Sequence, residues 1–277
     1  MWAQRSWVGR FLPHDTPVGR ELWPYSHVLN AVEGNTTFYA APPALSIAKW
    51  KQLAAPGFRF VFKVPRSITH DRRLREVHED LRKFVELMAP LDELIGGFTL
   101  QLPPTFGPSE LGALREVLER APTEFRWSVE VRHPEFFGGD ARRSLERLLV
   151  AHGAERVLLD TTALFHRTPI THEGREEWRT KPRVPLLAEP LTDRPIVRFV
   201  GSDHPEFTDA GLAAWHLPVA EWLDEGRTPT VFVHTPDNSR SPVLARGFHD
   251  AIRTLVPELD PLPTPFTVLP PEQPSLF

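Results

Sequence analysis

No cysteine occurs among the 277 residues, which excludes disulfides, thiolate metal ligands and thiol nucleophiles. Lysine is scarce: Lys49, Lys51, Lys63, Lys83 and Lys181 are the only lysines among 32 basic residues. That arginine bias fits GC-rich coding better than phosphate binding. No apolar run approaches the length of a membrane span, and the N-terminus has no signal-peptide core. A cytoplasmic protein without membrane attachment is therefore expected. The net charge of −4 is mild, so a broad nucleic-acid-binding surface is not expected, although a local basic groove would escape this test. No internal repeat is visible. Proline, by contrast, is abundant, with 30 residues gathered in loops and near the C-terminus.

The length suits one large α/β domain. Strand-like runs fall at about 30–35, 58–64, 97–102, 125–131, 155–160, 196–201 and 230–235, with helical patterns between them. Leu74, Val77, Leu81, Phe84, Val85 and Met88 form one apolar stripe. Ser109 and Asp140 are the expected N-caps of helices over 110–120 and 141–152, and Ser241-Pro242 the start of a final helix. Strand–helix alternation at this spacing predicts a parallel sheet, either open or closed into a barrel. Residues 161–195 form one long, irregular connection containing Phe165, His166, His172 and Trp178. A connection of that length is either a binding loop or a packed excursion.

Alternation along the strands carries the functional signal. Phe58, Phe60, Phe62 and Val64 share one face of their strand, and Arg59, Val61 and Lys63 the other. Likewise Phe125, Trp127, Val129 and Val131 oppose Arg126, Ser128, Glu130 and Arg132, while Phe98, Leu100 and Leu102 oppose Thr99 and Gln101. Later strands bring Asp160, Arg198 and His234. With Glu33 and Asn35, almost every strand supplies a polar group near its C-terminal end, where barrel active sites lie. Ionisable side chains are rarely buried without a partner. One acid–base pair would read as an internal salt bridge, but three acids, three bases and a histidine point to a ligand site.

Arginines and a lysine beside carboxylates suit an anionic, hydroxyl-bearing ligand: a phosphate, sugar phosphate or nucleotide. Glu33, Lys63, Glu130, Asp160 and His234 are the expected catalytic set. Asn35, His70, Gln101, Arg132, His133 and Arg198 are the expected substrate contacts. Glu33 or Glu130 could act as general base, with His70, His133 or His234 as acid–base partner. No cofactor is identified. A divalent metal on Glu33, Glu130, Asp160 and His234 is conceivable, but three cations in the same ring disfavour it, and no compact motif such as His-Glu-x-x-His occurs.

The segment Val32–Tyr39 (Val-Glu-Gly-Asn-Thr-Thr-Phe-Tyr), Phe58–Pro65 and Ile68–His70 resembles the YecE-like family, the domain of unknown function 72. Gln101-Leu102-Pro103, the Val-Glu-Val-Arg-His run at 129–133 and Gly201 agree with the same pattern. The resemblance implies a TIM-type (β/α) barrel over residues 1–259, with the polar ring at its recurring positions, and leaves the reaction open. It also implies a first strand ending in Gly-Trp. Trp2, Trp7, Gly9, Phe11 and Pro13 fit the later part of that region, and Met1 stands in the glycine's place. A barrel lacking its first strand is therefore expected, with an assigned start downstream of the true one as the favoured reason.

Residues 260–277 read as a proline-rich tail. The chain ends Gln273-Pro274-Ser275-Leu276-Phe277, which is similar to the short peptide with which bacterial polymerases and repair proteins bind the DNA sliding clamp. Gln273, Ser275, Leu276 and Phe277 agree, and Pro274 replaces the usual leucine. A glutamine amide fixes register and Leu-Phe fills an apolar pocket. The alternative is that Leu276 and Phe277 pack on the domain's own helices. Three functions follow: an enzyme acting on a phosphate-containing substrate, in one form nucleic acid with recruitment by the clamp; a sugar or sugar-phosphate isomerase or hydrolase; or a non-catalytic binding module.

Overall fold

The computed structural model describes residues 2–264. Its elements run in the order α1 (Leu22–Ser26), β1 (Ala31–Gly34), α2 (Thr36–Tyr39), α3 (Ala44–Leu53), β2 (Arg59–Lys63), α4 (His78–Met88), β3 (Ile95–Gln101), α5 (Leu111–Arg120), β4 (Trp127–Glu130), α6 (Gly139–Ala151), β5 (Glu155–Arg156), β6 (Leu158–Asp160), α7 (His172–Thr180), β7 (Ile196–Val200), α8 (Pro205–Ala213), α9 (His216–Asp224), β8 (Thr230–His234) and α10 (Ser241–Leu255). All strand pairs are parallel. They form a five-stranded sheet in the order β1-β2-β3-β4-β5 and a three-stranded sheet β6-β7-β8. The run at 155–160 passes from one sheet to the other. Glu155 and Arg156 pair with β4, the Val157 amide donates to Val129 O at 2.9 Å, and Leu158 to Asp160 pair with β7.

The sheets do not close. No ladder joins β1 to β8 among the described residues. A cavity of about 530 Å³ lies along these two edges, lined by Ala31 to Glu33 and Thr230 to His234. Near it, Gln4 Nε2 donates to Asp237 O at 3.3 Å and Trp7 Nε1 to Asn238 O at 2.8 Å, tying the N-terminal segment to the loop after β8.

Outward strand faces and helices build the core. Phe60 and Phe62 stack along β2 at 5.2 Å, Phe62 meets Phe98, and Phe98 packs on Trp127 at 5.3 Å. Trp50 of α3 and Phe84 of α4 cover this aromatic row. Each fully buried phenylalanine contributes about 1.5–3 kcal/mol, and β-branched and aromatic residues suit the pleated surface. A second cluster, with Val197, Phe199, Trp215 and Phe248, lies behind β7. Gly34 at the end of β1 has a packing reason: a Cβ there would come within 2.4 Å of the Phe62 ring.

Several expected helix starts move. Helix α5 begins at Leu111, after a 3-10 turn at Pro108–Glu110; Glu110 accepts from the Gly107 amide at 3.2 Å, so Ser109 is not the cap. The cap of α6 is Gly138, and Asp140 lies in the first turn, paired with Arg143. Ser241 opens α10 but binds the end of β8, its Oγ accepting from the Thr235 amide at 3.1 Å. Leu74 and Val77 are buried yet precede α4. Residues up to Pro263 are held on α10: Arg253 holds Leu259 O, His249 holds Asp260 O, and Arg246 holds Pro263 O at 2.8 Å.

Candidate functional site

Register decides which side chains meet. In parallel strands, residues at one register position face the same side. Glu33 pairs with Val61, Lys63 with Thr99, Thr99 with Ser128 and Gln101 with Glu130. Arg198 lies one pair below Phe199 on β7, and Val200 pairs with His234. Hence Glu33, Lys63, Gln101, Glu130, Arg198 and His234 all project to the inner face, opposite the phenylalanine rows.

They form one network. Lys63 Nζ donates to Gln101 Oε1 at 2.8 Å and stands 3.4 Å from Glu33 Oε1. Arg198 Nε donates to Glu33 Oε1 and Oε2 at 3.1 and 3.4 Å. His234 Nε2 lies 3.2 Å from Glu33 Oε2. Arg132 donates from Nε and Nη2 to Glu130 Oε1 at 2.7 and 2.6 Å. Arg198 Nη1 is 3.8 Å from Glu130 Oε2, and neither atom has a hydrogen-bond partner. Only Arg132, at 12%, and His234, at 17%, expose more than a tenth of the side chain; the Glu130 side chain is fully buried.

Burial opposes ionisation of Glu33, but Arg198, Lys63 and His234 hold its carboxyl well below the ordinary range. Burial likewise opposes Glu130, which Arg132, Arg198 and Lys63 bring down to about 2. Burial and the positive charge of Arg198 push Lys63 down to about 8, against the pull of Glu33 and Glu130. Burial and Arg198 take His234 down to about 4. Burial disfavours the Arg198 charge, yet Glu33 and Glu130 raise its pKa above the ordinary value. At neutral pH the network holds two carboxylates, two guanidiniums, one ammonium and a neutral imidazole. One positive charge is in excess.

Other expected residues sit at the edge or elsewhere. His70 lies in a π-turn over Ser67–Asp71, its Nδ1 2.9 Å from Thr69 Oγ1 and its ring edge-on to Phe38; burial and Arg132 lower it to about 4. Asn35 follows β1, and its buried Oδ1 has no partner. His133 serves the backbone, its Nδ1 accepting from the Glu135 amide at 3.4 Å. Asp160 is a correction. It pairs in register with outward Phe199, and its carboxylate is taken by Trp215 Nε1 at 2.8 Å and by the Thr162 amide and hydroxyl at 2.9 and 2.6 Å. Its strand carries Leu159 on the inner face instead. Among the described residues, no group of three or more His, Asp or Glu is placed to hold a metal ion.

The sequence reading missed Glu177. Helix α7 lies in the long 161–195 connection, and its Glu177 acts electrostatically on Arg198 while pairing with Lys181 at 2.9 Å. Two buried carboxylates fix this connection. Asp203 accepts from the Ile170 amide and from the Thr171 amide and hydroxyl at 2.6–2.8 Å. Glu155 accepts from the Leu191 and Thr192 amides at 3.0 and 2.9 Å. The length of the connection was the available signal; its partners lie far off in sequence. Clamp-like Gln273, Ser275, Leu276 and Phe277 fall outside the described residues.

Known proteins share this fold. The chain is 36% identical over 277 residues to UPF0759 protein YecE of Escherichia coli K12, spanning all of this chain and 97% of that protein. A structure of a DUF72 family protein from Thermotoga maritima superposes with a TM-score of 0.68 at 22% identity, covering 91% of this chain and 96% of the other. One from Enterococcus faecalis gives 0.65 at 19%, covering 90% and 91%. The family model described as protein of unknown function DUF72 matches residues 1–266. The chain belongs to this YecE-like DUF72 family.

Proposed function

We propose that the inner polar network is the active site of a cytoplasmic enzyme for small, phosphate-containing, hydroxyl-bearing substrates, set in the strand ends of a TIM-type (β/α) barrel that comprises residues 1–259. The unpartnered pair formed by Arg198 Nη1 and Glu130 Oε2 carries this reading. A buried guanidinium nitrogen lacks an acceptor, and a buried carboxylate oxygen lacks a donor. A ligand hydroxyl supplies both. The excess positive charge matches an anionic group on the same ligand. Arg132 and His70, at the edge of the network, are the groups placed to meet the phosphate; Lys63, Glu33 and His234 form the proton-transfer set.

Small substrates fit better than a nucleic acid duplex, because Lys63, Glu33, Glu130 and Arg198 each expose 6% or less of their side chains. An isomerase or hydrolase of sugar phosphates follows. The first test is a thermal-shift screen of the purified chain against inorganic phosphate, sugar phosphates and nucleoside monophosphates, with and without divalent metal. Stabilisation by a phosphate compound that survives chelation supports the reading. No stabilisation by any of them discards it.

A second reading concerns partners and rests on the sequence of the C-terminus. Gln273, Ser275, Leu276 and Phe277 match the sliding-clamp peptide, and the sequence before them is rich in proline. Recruitment to DNA through the clamp would place the enzyme near nucleotide or damaged-sugar substrates.

A further inference from the structure

We propose that Lys63 is an imine-forming nucleophile, acting on phosphorylated aldehydes or ketones. This inference rests on the phosphate-ligand reading above and specifies its chemistry.

The network does not need Lys63 for charge balance. Glu33 is already bonded by Arg198 and approached by His234, and Glu130 is bonded by Arg132. Two guanidiniums thus match two carboxylates. The nearest partner of Lys63 Nζ is the neutral amide oxygen of Gln101 at 2.8 Å, with Glu33 farther off at 3.4 Å. The ammonium predominates at neutral pH; in its unprotonated fraction the amine donates to Gln101 and keeps its lone pair. Burial beside other cations is the general way proteins make a lysine nucleophilic. Burial and Arg198 hold this one near 8, so a fraction is unprotonated at neutral pH.

The neighbours supply the remaining chemistry. Glu33 lies between Lys63 and His234, 3.4 Å from the first and 3.2 Å from the second, and His234 is the more exposed end. In the proposed step this row relays protons between the amine and solvent, His234 Nε2 turning into hydrogen-bond alignment with Glu33, which it lacks in this geometry. The amine nitrogen adds to the carbonyl carbon; the C–N bond forms as the carbonyl π bond breaks, and one proton leaves the nitrogen through Glu33 for the oxygen, giving the neutral carbinolamine. That hydroxyl then leaves as water, taking a second proton relayed from solvent through His234 and Glu33, while the nitrogen lone pair closes the C=N bond of the cationic iminium. Atoms and charge balance without an added oxidant or reductant. The 530 Å³ cavity is lined by Glu33, Asn35 and His234 but not by Lys63, so a carbonyl compound bound there approaches the amine from the Glu33 end of the network. It is of the size that holds a small sugar phosphate.

With only five lysines, the chain is well suited to a labelling test. The full chain is incubated with dihydroxyacetone phosphate, glyceraldehyde 3-phosphate or pyridoxal 5′-phosphate. It is then reduced with borohydride, which delivers hydride to the C=N carbon and fixes the adduct, and is mapped by peptide mass. Non-specific labelling follows exposure and would favour Lys49, Lys51 and Lys83, all exposed. The expected result is Lys63 labelled at least about tenfold over any other lysine, faster as pH rises toward 8, blocked by excess inorganic phosphate and absent in folded Lys63→Arg. Labelling confined to the exposed lysines, or unchanged in Lys63→Arg, overturns the proposal. If phosphate still raises the melting temperature in that case, ligand binding stands and only the imine step falls; if it does not, both fall.

Discussion

Arg198 on β7 donates to both oxygens of Glu33 on β1, across 165 residues of sequence and between two sheets that share no ladder at that seam. The ion pair is buried on both sides. Removing one partner of such a pair leaves an uncompensated charge, which costs more than the pair contributes. Arg198→Met should therefore lower unfolding free energy by about 3–5 kcal/mol, measured by urea denaturation at pH 7. A loss below about 1 kcal/mol would show that Glu33 is compensated elsewhere.

Acid should weaken the fold in two stages. His234 and His70 are held down to about 4, chiefly by burial. As pH falls from about 6.5 to 4, the unfolded chain takes up protons that the folded chain refuses, so stability declines. Glu130, held at about 2, extends the loss from about 4.5 downward. Lys63 has the same sign at the other end: its low value means that stability from this group rises between about 8 and 10.5. Urea midpoints at pH 3, 5, 7 and 9 should fall in order toward acid. A midpoint unchanged between pH 7 and 5 would contradict the burial of His234.

Glu130 and Asp160 should separate. Asp160→Asn removes an acceptor from either Trp215 or Thr162 and should cost about 1–3 kcal/mol of stability while leaving phosphate-ligand binding unchanged. Glu130→Gln should abolish any turnover found for the wild-type chain, with the fold retained by circular dichroism. Equal turnover in Glu130→Gln would remove that residue from the catalytic set.

Polar inner faces and the order of strands were legible because parallel strands alternate strictly. Glu33, Lys63, Gln101, Glu130, Arg198 and His234 could be aligned from period-two patterns alone. Asp160 misled because Leu158-Leu159-Asp160 is apolar on both faces, so alternation could not say which side the aspartate takes; the Trp215 indole, 55 residues on, decides it. Glu177 was invisible for the opposite reason. It sits on a polar helix inside an irregular connection, and its approach to Arg198 depends on Asp203 and Glu155 pinning that connection at both ends. Helix starts erred at Ser109 and Asp140 because Glu110 and Gly138 take over the first turns.

Clamp recruitment calls for a direct comparison. The full chain should bind a bacterial sliding clamp with roughly micromolar affinity, since ordering a tail offsets part of the contact energy. A chain lacking residues 273–277, and a Leu276→Ala, Phe277→Ala double mutant, should lose that binding. Equal behaviour of all three would remove the clamp from the account.

The central claim is that the inner network binds an anionic, hydroxyl-bearing ligand, and calorimetric titration tests it most directly. Arg132 is the variant of choice, because it is the more exposed of the two guanidiniums. Titrating ribose 5-phosphate into the wild-type chain should give saturable one-to-one binding that inorganic phosphate competes away. In folded Arg132→Gln the affinity should fall about tenfold or more. Absence of saturable binding by any phosphate ligand, or equal affinity in Arg132→Gln, would contradict it.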